Sequence, residues 1–367
     1  MAIILIILIL SFLVLIHEFG HFLAARKVGV RVEEFGIGYP PRARKLFTWK
    51  GTLFSLNWLP FGGFVRLAGD DAETFEYSEV VEGAKHHDSH LFSEKSQMGR
   101  IIIVLAGAAV NILFGILIFS ITYAYIGIPT VLPHPKVEVV MPNSPAEQAG
   151  IAVGDVVDAV SGQAVGTADE LIGKIVQLRG QTVTLKIERD GKTIDVKSHV
   201  RTAQQTPANE GSLGIQLIST EFVHYPAWQM PFRGTLQGVK DSWMFAKMIP
   251  GVFGKVFVDL FTKAQISNDV SGPIGIVHIA QQEQIASQGL LAILNFAAVI
   301  SLNLGVMNLM PIPALDGGRV VFILLETAVG KKRRAKWEGY ANSAGMVALL
   351  ALIVVISLHD VWKIFVK

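Results

Sequence analysis

Residues 17–21 read HEFGH, which places two histidines and a glutamate within five positions. On a helix, side chains four residues apart share one face, so His17 and His21 can direct ring nitrogens at one zinc ion about 2.0–2.1 Å away. Glu18 lies beside them and can accept a proton from a zinc-coordinated water, whose pKa the metal lowers to about 7. The pattern predicts a zinc hydrolase with His17 and His21 as metal ligands and Glu18 as general base.

A catalytic zinc usually takes three protein ligands and leaves a fourth position to water. The sequence has no cysteine, so the third ligand must be a histidine or a carboxylate. Asp316 follows an apolar run in which Pro311 and Pro313 cannot continue helical hydrogen bonding. Gly317 and Gly318 come next and allow the backbone to turn. We expect Asp316 to be the third ligand; the alternative is a carboxylate that caps a helix beginning at Gly317.

The segments that carry these residues are unusually apolar. Hydrophobic residues make up 51% of the 367, charged residues 17%, and the mean hydropathy is +0.46, which is typical of a membrane protein with a soluble part. Four runs approach or exceed the roughly 20 residues that cross a bilayer: about 2–25, 101–126, 290–315 and 344–366. The first lacks the basic start and the cleavage site of a signal peptide, so we expect it to be retained. A charged residue at the centre of such a helix costs about 2.5–3.5 kcal/mol. Metal binding explains why ionisable residues are present in the first span despite this cost, whereas simple packing does not.

Basic residues cluster on one side of the predicted spans: Arg26, Lys27, Arg31, Arg100 and the KKRRAK run at 331–336. Because such residues remain in the cytoplasm, these connections are expected there. The N-terminus, the segment 127–289 and the C-terminus are then extracytoplasmic. HEFGH and Asp316 lie toward the cytoplasmic ends of their spans on this orientation.

The stretch SPAEQAGIAVGDVVDAVSGQAV, residues 144–165, resembles the signature of a bacterial PDZ domain. It offers a short helix at 146–151 and a turn at Gly154-Asp155. A helix at 169–178 and a strand pair around Arg189-Asp190-Gly191 complete the pattern. We predict one inserted α+β PDZ-like domain over 127–220, on the extracytoplasmic side.

Two further segments are apolar without being spans. In 222–265, aromatic residues alternate with lysines, which favours amphipathic helices in the membrane interface over 221–289, although a helix packed on the soluble domain is the alternative. Residues 52–68, TLFSLNWLPFGGFVRLA, predict two short strands around Pro60, Gly62 and Gly63. The cytoplasmic loop 52–70 is therefore expected to be a membrane-associated β-hairpin.

Together, HEFGH in the first span, FGGFVRLAGD after it, NLMPIPALDGG in the third and the PDZ-like domain resemble the site-2 protease family of intramembrane zinc metalloproteases, of the bacterial regulator-of-sigma-E protease type. The similarity covers nearly the whole chain. It implies a polytopic α-helical membrane protein whose core lies in 1–126 and 290–367. One zinc ion would be bound by His17, His21 and Asp316, with Glu18 as the base. Substrate-binding residues are expected at Asn303, Asn308, Pro311, Pro313, Gly62 and Gly63. For Asn303, a hydrogen bond between packed helices is an equal alternative.

The resemblance also implies partners and a location. The substrates would be single-pass membrane proteins already shortened outside by another protease, such as anti-sigma factors or leftover signal peptides, in the bacterial cytoplasmic membrane. The best-known members of this type carry two PDZ domains, and this sequence has one. A net charge of +2 gives no reason to expect a nucleic-acid partner.

Two alternatives remain open at this stage. A non-catalytic membrane adaptor or transporter is the rival reading, although the repeated halves of many transporters are not found. The HHDSH stretch at 86–90 has ligand-type side chains, but we expect a solvated loop there and not a second metal site.

Overall fold

The computed structural model describes residues 2–70, 89–207, 210–263 and 271–366. The chain forms two compact units, Met1–Thr122 with Gly234–Lys367, and Tyr123–Arg233. Residues 86–88 of the HHDSH stretch lie outside the described residues, so the solvated loop expected there stays a prediction.

The helices are α1 (Ala2–Val28), α2 (Gln97–Ile126), α3 (Pro145–Gln148), α4 (Ala168–Gln177), α5 (Met230–Lys263), α6 (Pro273–Gln282), α7 (Leu290–Leu309), α8 (Asp316–Val329) and α9 (Lys331–Val366). The strands are β1 (Val32–Trp49), β2 (Thr52–Leu67), β3 (Ile128–Val140), β4 (Val156–Val160), β5 (Gln163–Ala164), β6 (Thr182–Arg189), β7 (Lys192–His199) and β8 (Ile215–Val223).

Among the described residues, four helices are long and apolar enough to cross a bilayer, namely α1, α2, α7 and α9. Helix α7 ends at Leu309, short of the expected residue 315, because Pro311 and Pro313 follow and cannot continue a helix. Helix α9 begins at Lys331, so the basic run 331–336 forms its first turns. Helix α8 has 14 residues, about 21 Å, and is too short to span.

The segment expected to hold interfacial helices contains α5 and α6. Helix α5 continues through Pro250 for 34 residues. It packs closely on α2 at Gly238, where a Cβ atom would lie 2.7 Å from Ser120 Oγ. This contact joins α5 to α2 but does not test whether α5 lies in the membrane interface. The interfacial location of 221–289 therefore stays a prediction.

Strands β1 and β2 form a sheet that covers α1, with a turn at Lys50 and Gly51, both at positive φ. The hairpin predicted within 52–68 is wrongly placed, because residues 52–67 are one strand that pairs with 32–49. Phe35 pairs with both Val65 and Phe54. The two ends of β2 therefore pair with opposite edges of the segment 32–37, which lies between 63–67 and 53–56. The adjacent prolines and several charges within 32–49 hide this strand from a search for alternating apolar residues.

Apolar side chains join this sheet to the helices that carry the site. Phe22 and Ala25 of α1 pack with Val32, Phe35 and Val65 of the sheet, and with side chains of α2 and α8. A second cluster, containing Leu13 and Ala297, joins α1 to α7. These contacts fix α1, α2, α7 and α8 around one another.

The unit Tyr123–Arg233 is built on a sheet with the strand order β7-β6-β4-β3-β8, and β5 pairs with β4. The helices expected near 146–151 and at 169–178 are α3 and α4, capped by Ser144 and Thr167, whose hydroxyls accept backbone N–H bonds. The expected strand pair around Arg189 is β6 and β7, with Asp190 and Gly191 at positive φ in the turn.

An ion pair between the buried Asp155 and the half-buried Arg189 fixes the turn before β4. Arg189 Nε donates to Asp155 Oδ1 and its Nη2 to Oδ2, both at 2.7 Å. Burial alone would raise the pKa of Asp155, but the hydrogen bonds from Arg189 and from the Ala152 N–H outweigh it and hold that pKa below its usual value. Asp155 is therefore ionised in the folded unit, where its carboxylate is paired with Arg189.

Candidate metal centre

Three potential metal ligands from distant parts of the chain converge in the first unit. His17 Nε2 lies 3.1 Å from Asp316 Oδ2, His21 Nε2 lies 3.4 Å from the same oxygen, and the two Nε2 atoms are 3.2 Å apart. Ligands bound about 2.0–2.1 Å from a tetrahedral zinc lie about 3.3–3.4 Å from one another. The three atoms therefore have the spacing of three corners of a zinc tetrahedron, and two imidazoles with one carboxylate are a donor set that zinc prefers.

The histidines occupy one face of α1, as the H-E-x-x-H spacing predicts. Their rings lie 4.8 Å apart, and the residues are only 8% and 9% exposed. The Asp316 side chain is similarly buried, at 14% exposure. Helix α8 begins at Asp316, and its carboxylate faces the histidines while Leu315 occupies the N-cap position. The capping alternative is therefore not the observed arrangement.

Helix α2 leaves space for the two imidazoles at Gly107. A Cβ atom at this position would lie 2.8 Å from His17 Nε2 and closer still to His21 Nε2. Helices α1 and α2 also approach closely at Gly20, where a Cβ would lie 2.9 Å from the Ala106 carbonyl carbon. The sequence alone does not identify Gly107, because the contact that excludes a side chain at this position is made with His21, 86 positions earlier.

Asp316 is presented by the irregular segment 310–315 between α7 and α8. Ala314 has a φ of 72°, which is unfavourable for a residue with a side chain, and its N–H donates to Asn342 Oδ1 of α9 at 3.0 Å. Gly317 and Gly318 lie inside α8, not in a turn as expected. They are glycines because Cβ atoms would collide with backbone oxygens of the segment 309–312.

Glu18 lies at the junction of α1 and the sheet. The backbone N–H of Val65 in β2 is directed toward its carboxylate. A Cβ atom on Gly63 would lie 4.0 Å from Glu18 Cγ, and one on Gly62 would lie 3.0 Å from Val14 Cγ1. Gly63 therefore adjoins the expected base, and Gly62 packs one turn earlier on α1.

The other predicted substrate-binding residues are distributed along α7 and the segment after it. Asn308 is half-buried in the last turn of α7, whereas Asn303 is exposed. Five helical positions correspond to a rotation of about 140°, so these two side chains leave α7 in different directions. Pro311 is exposed and Pro313 is half-buried against Gly345 of α9, where a Cβ would lie 2.7 Å from the Pro313 Cβ.

A buried ionic network anchors α8 beyond Asp316. Arg319 Nη2 donates to Asp70 Oδ1 at 2.6 Å, and Arg100 Nη1 and Nη2 donate to Glu326 at 2.7 and 2.8 Å. The Arg100 guanidinium holds the pKa of Glu326 below its usual value. Arg334 of α9 completes the network through Glu326. Sequence reasoning missed it because Arg100 and Glu326 are 226 positions apart.

The chain is similar to known metalloproteases over nearly its whole length. The model of Peptidase family M50 matches residues 5–352. A Clostridium acetobutylicum protein whose name contains "zinc metalloprotease" is 32% identical over 360 residues, covering 97% of this chain and 96% of that protein. Zinc metalloprotease RasP of Geobacillus kaustophilus is 27% identical over 428 residues, covering 98% and 97%.

A crystal structure of the PDZ domain of an SdrC-like protein from Listeria monocytogenes aligns with 24% of this chain and 92% of its own, at 22% identity and a TM-score of 0.21. The family match covers residues 5–352, which include both HEFGH and Asp316, and so covers far more of the chain than the alignment with the PDZ domain. The chain belongs to Peptidase family M50 and is a membrane metallopeptidase of that family.

Proposed function

We propose that this protein is a zinc-dependent intramembrane endopeptidase that hydrolyses peptide bonds in or near the membrane span of single-pass proteins. The observation that carries the proposal is the set of three ligand atoms 3.1–3.4 Å apart, with Glu18 beside them on a helix long enough to span a bilayer. His17, His21 and Asp316 hold one zinc ion per chain. When bound, zinc supplies a Lewis acid that acidifies water and polarises the peptide carbonyl.

Glu18 acts as the general base. It is half-buried, and the Val65 N–H is directed toward its carboxylate at the edge of the metal site. From this position it accepts the proton of the attacking water and then delivers a proton to the leaving amine. Burial of the surrounding histidines limits access of bulk water, which strengthens each electrostatic interaction in the site.

The sheet β1–β2 holds the substrate in an extended conformation. A helical substrate hides its carbonyl groups in hydrogen bonds, so cleavage requires local unwinding. The segment 63–67 adjoins Glu18 through Gly63 and Val65, which favours pairing of an unwound strand beside the base. Gly62 and Gly63 allow the substrate backbone to approach. Asn308, Pro311 and Pro313 contact the substrate from the end of α7 and the segment after it, and Asn303 contacts it from a different face of α7.

The substrates we propose are anti-sigma-type proteins and signal-peptide remnants, previously shortened by an outside protease. Membership in the M50 family supports this class. The protein lies in the bacterial cytoplasmic membrane, with the metal site toward the cytoplasm. In support, Arg26 and Lys27 lie in the last turn of α1, and Arg100 in the first turn of α2, on the side of the metal site, and basic residues favour the cytoplasmic side.

The extracytoplasmic unit is a PDZ-like domain. Its support is the signature at 144–165 and the order of its strands and helices. A groove lies between α4 and β8, with Leu171, Ile175, Ile215 and Leu217 in its walls.

The test compares cleavage of a model single-pass substrate in detergent by the wild type, Glu18→Gln and Glu283→Gln, where Glu283 is an exposed residue outside the sheet and the metal site. Zinc per chain is measured on each sample. We expect about one zinc in all three, full cleavage by Glu283→Gln, and a loss of about 10²–10⁴-fold in Glu18→Gln. Full activity of Glu18→Gln would remove Glu18 as the base. A wild type with neither zinc nor cleavage would favour the non-catalytic adaptor.

A further inference from the structure

The ring nitrogens of the two histidines that face away from Asp316 both meet α2. His21 Nδ1 lies 2.8 Å from the carbonyl oxygen of Ile103, and His17 Nδ1 lies 3.4 Å from the side-chain amide nitrogen of Asn111. A carbonyl oxygen can only accept a hydrogen bond, so His21 carries its proton on Nδ1. Its Nε2 lone pair is thereby free for a metal.

His17 requires the same tautomer, because its Nε2 is also the nitrogen that faces Asp316. With the proton on Nδ1, His17 needs an acceptor where Asn111 meets it, and an amide nitrogen is only a donor. Asn111 Oδ1 is buried and has no hydrogen-bond partner among the described residues. Since the oxygen and nitrogen of an asparagine side chain exchange places by a half-turn, the acceptor is already present at the required position.

The position of Asn111 is fixed by its surroundings. The residue is 1% exposed, and its backbone carbonyl accepts a hydrogen bond from Ser301 Oγ of α7 at 2.9 Å. Helix α7 approaches closely at Gly305, where a Cβ atom would lie 3.3 Å from Asn111 Cβ. Asn111 therefore lies between His17 and α7, and its side chain has little freedom to leave the imidazole.

We propose that Asn111 is a positioning residue whose Oδ1 accepts the Nδ1–H of His17 and holds the tautomer and ring orientation in which Nε2 binds zinc. This inference rests on the zinc site of the proposed function and extends it to a residue outside the ligand set. Together with the Ile103 carbonyl, Asn111 makes α2 the element that orients both imidazoles. Partners of this kind typically change metal affinity by about 10–100-fold when they are removed.

The experiment measures zinc affinity of the full chain in detergent by chelator competition. Asn111→Leu removes the acceptor at nearly constant size, and Asn111→Asp retains it. Thr122→Val is the matched control, because Thr122 is a buried polar residue on the same helix whose hydroxyl donates to Asn295 Oδ1 of α7 at 3.0 Å. We expect about 10–100-fold weaker zinc binding by Asn111→Leu and wild-type affinity for the other two. Melting temperatures of the metal-free proteins show whether each variant is folded, and Asn111→Ala replaces Asn111→Leu if the latter cannot be purified.

The outcomes separate the inference from the zinc site itself. A wild type that binds no zinc refutes the proposed function and the role of Asn111 with it. Wild-type affinity in Asn111→Leu overturns only the role of Asn111 and leaves the zinc site intact. Binding by Asn111→Asp as weak as that of Asn111→Leu contradicts the acceptor role of Oδ1.

Discussion

Gly107→Ala is expected to damage the metal site without unfolding the protein. The added Cβ would lie 2.8 Å from His17 Nε2, whereas ordinary contact begins at 3.4 Å, so the imidazole must move by about 0.6 Å. Metal–ligand distances tolerate changes of about 0.2 Å. Misplacement of this order costs about 100-fold, or about 2.7 kcal/mol, in zinc binding or activity. His21 is crowded further, which adds to the loss.

Gly115→Ala is the matched control for this prediction. Its Cβ would lie 2.8 Å from Leu302 Cδ2, so the same helix is crowded to a similar degree against a side chain that binds no metal. Overpacking costs about 1–3 kcal/mol and the helix propensity of alanine returns about 1, so both variants should stay within about 2 kcal/mol of the wild type in stability. Chelator competition gives zinc affinity and thermal melting gives stability. Equal zinc affinity in Gly107→Ala, Gly115→Ala and the wild type would refute the assignment of Gly107.

Three further predictions concern the scaffold. Arg100→Met leaves the buried Glu326 without its bidentate partner and should lower the free energy of unfolding, measured by chemical denaturation, by about 3–5 kcal/mol. The double variant Arg100→Met with Glu326→Leu should regain most of that stability, and an equally unstable double variant would contradict this. Asp360→Leu should lower the melting temperature, because the buried N–H groups of Gly272 and Gly275 lose their shared acceptor. Leu358→Ala, at an exposed position of the same helix, is the control, and equal melting temperatures of the two variants would contradict the expectation. The pKa of Asp155 is lower in the folded state than its unfolded value of about 3.9, so its pairing stabilises the protein above that pH and less as the pH falls toward the folded pKa. Arg189→Met should therefore melt below the wild type at pH 6, with a difference that shrinks toward pH 3; a constant difference would exclude linkage to Asp155.

Residues with local chemical signatures were found from the sequence. The spacing of His17 and His21 fixes a shared helical face, and two prolines predict the break that presents Asp316. The four membrane helices follow from long apolar runs, and the helix α4 follows from its amphipathic pattern. In each case the determining pattern lies within one continuous segment of the chain.

Features that depend on distant contacts were not found. Strand β1 contains Pro40 and Pro41 and several charges, and it is stabilised by pairing with β2 and packing on α1, not by its own pattern. Gly107 and Asn111 look like ordinary residues of a small-residue membrane helix until the histidines of α1 are placed against them. The role of Gly317 and Gly318 was misread because the collision that demands them comes from the preceding segment.

Zinc K-edge X-ray absorption on the purified wild type and on His17→Ala tests the central claim most directly. We predict scattering from two imidazoles and from oxygen ligands, at about 2.0–2.1 Å, in the wild type. In His17→Ala, the zinc should be lost or retain a single imidazole. A wild-type zinc with one or three imidazoles, or an unchanged spectrum in His17→Ala, would contradict the ligand set of His17, His21 and Asp316.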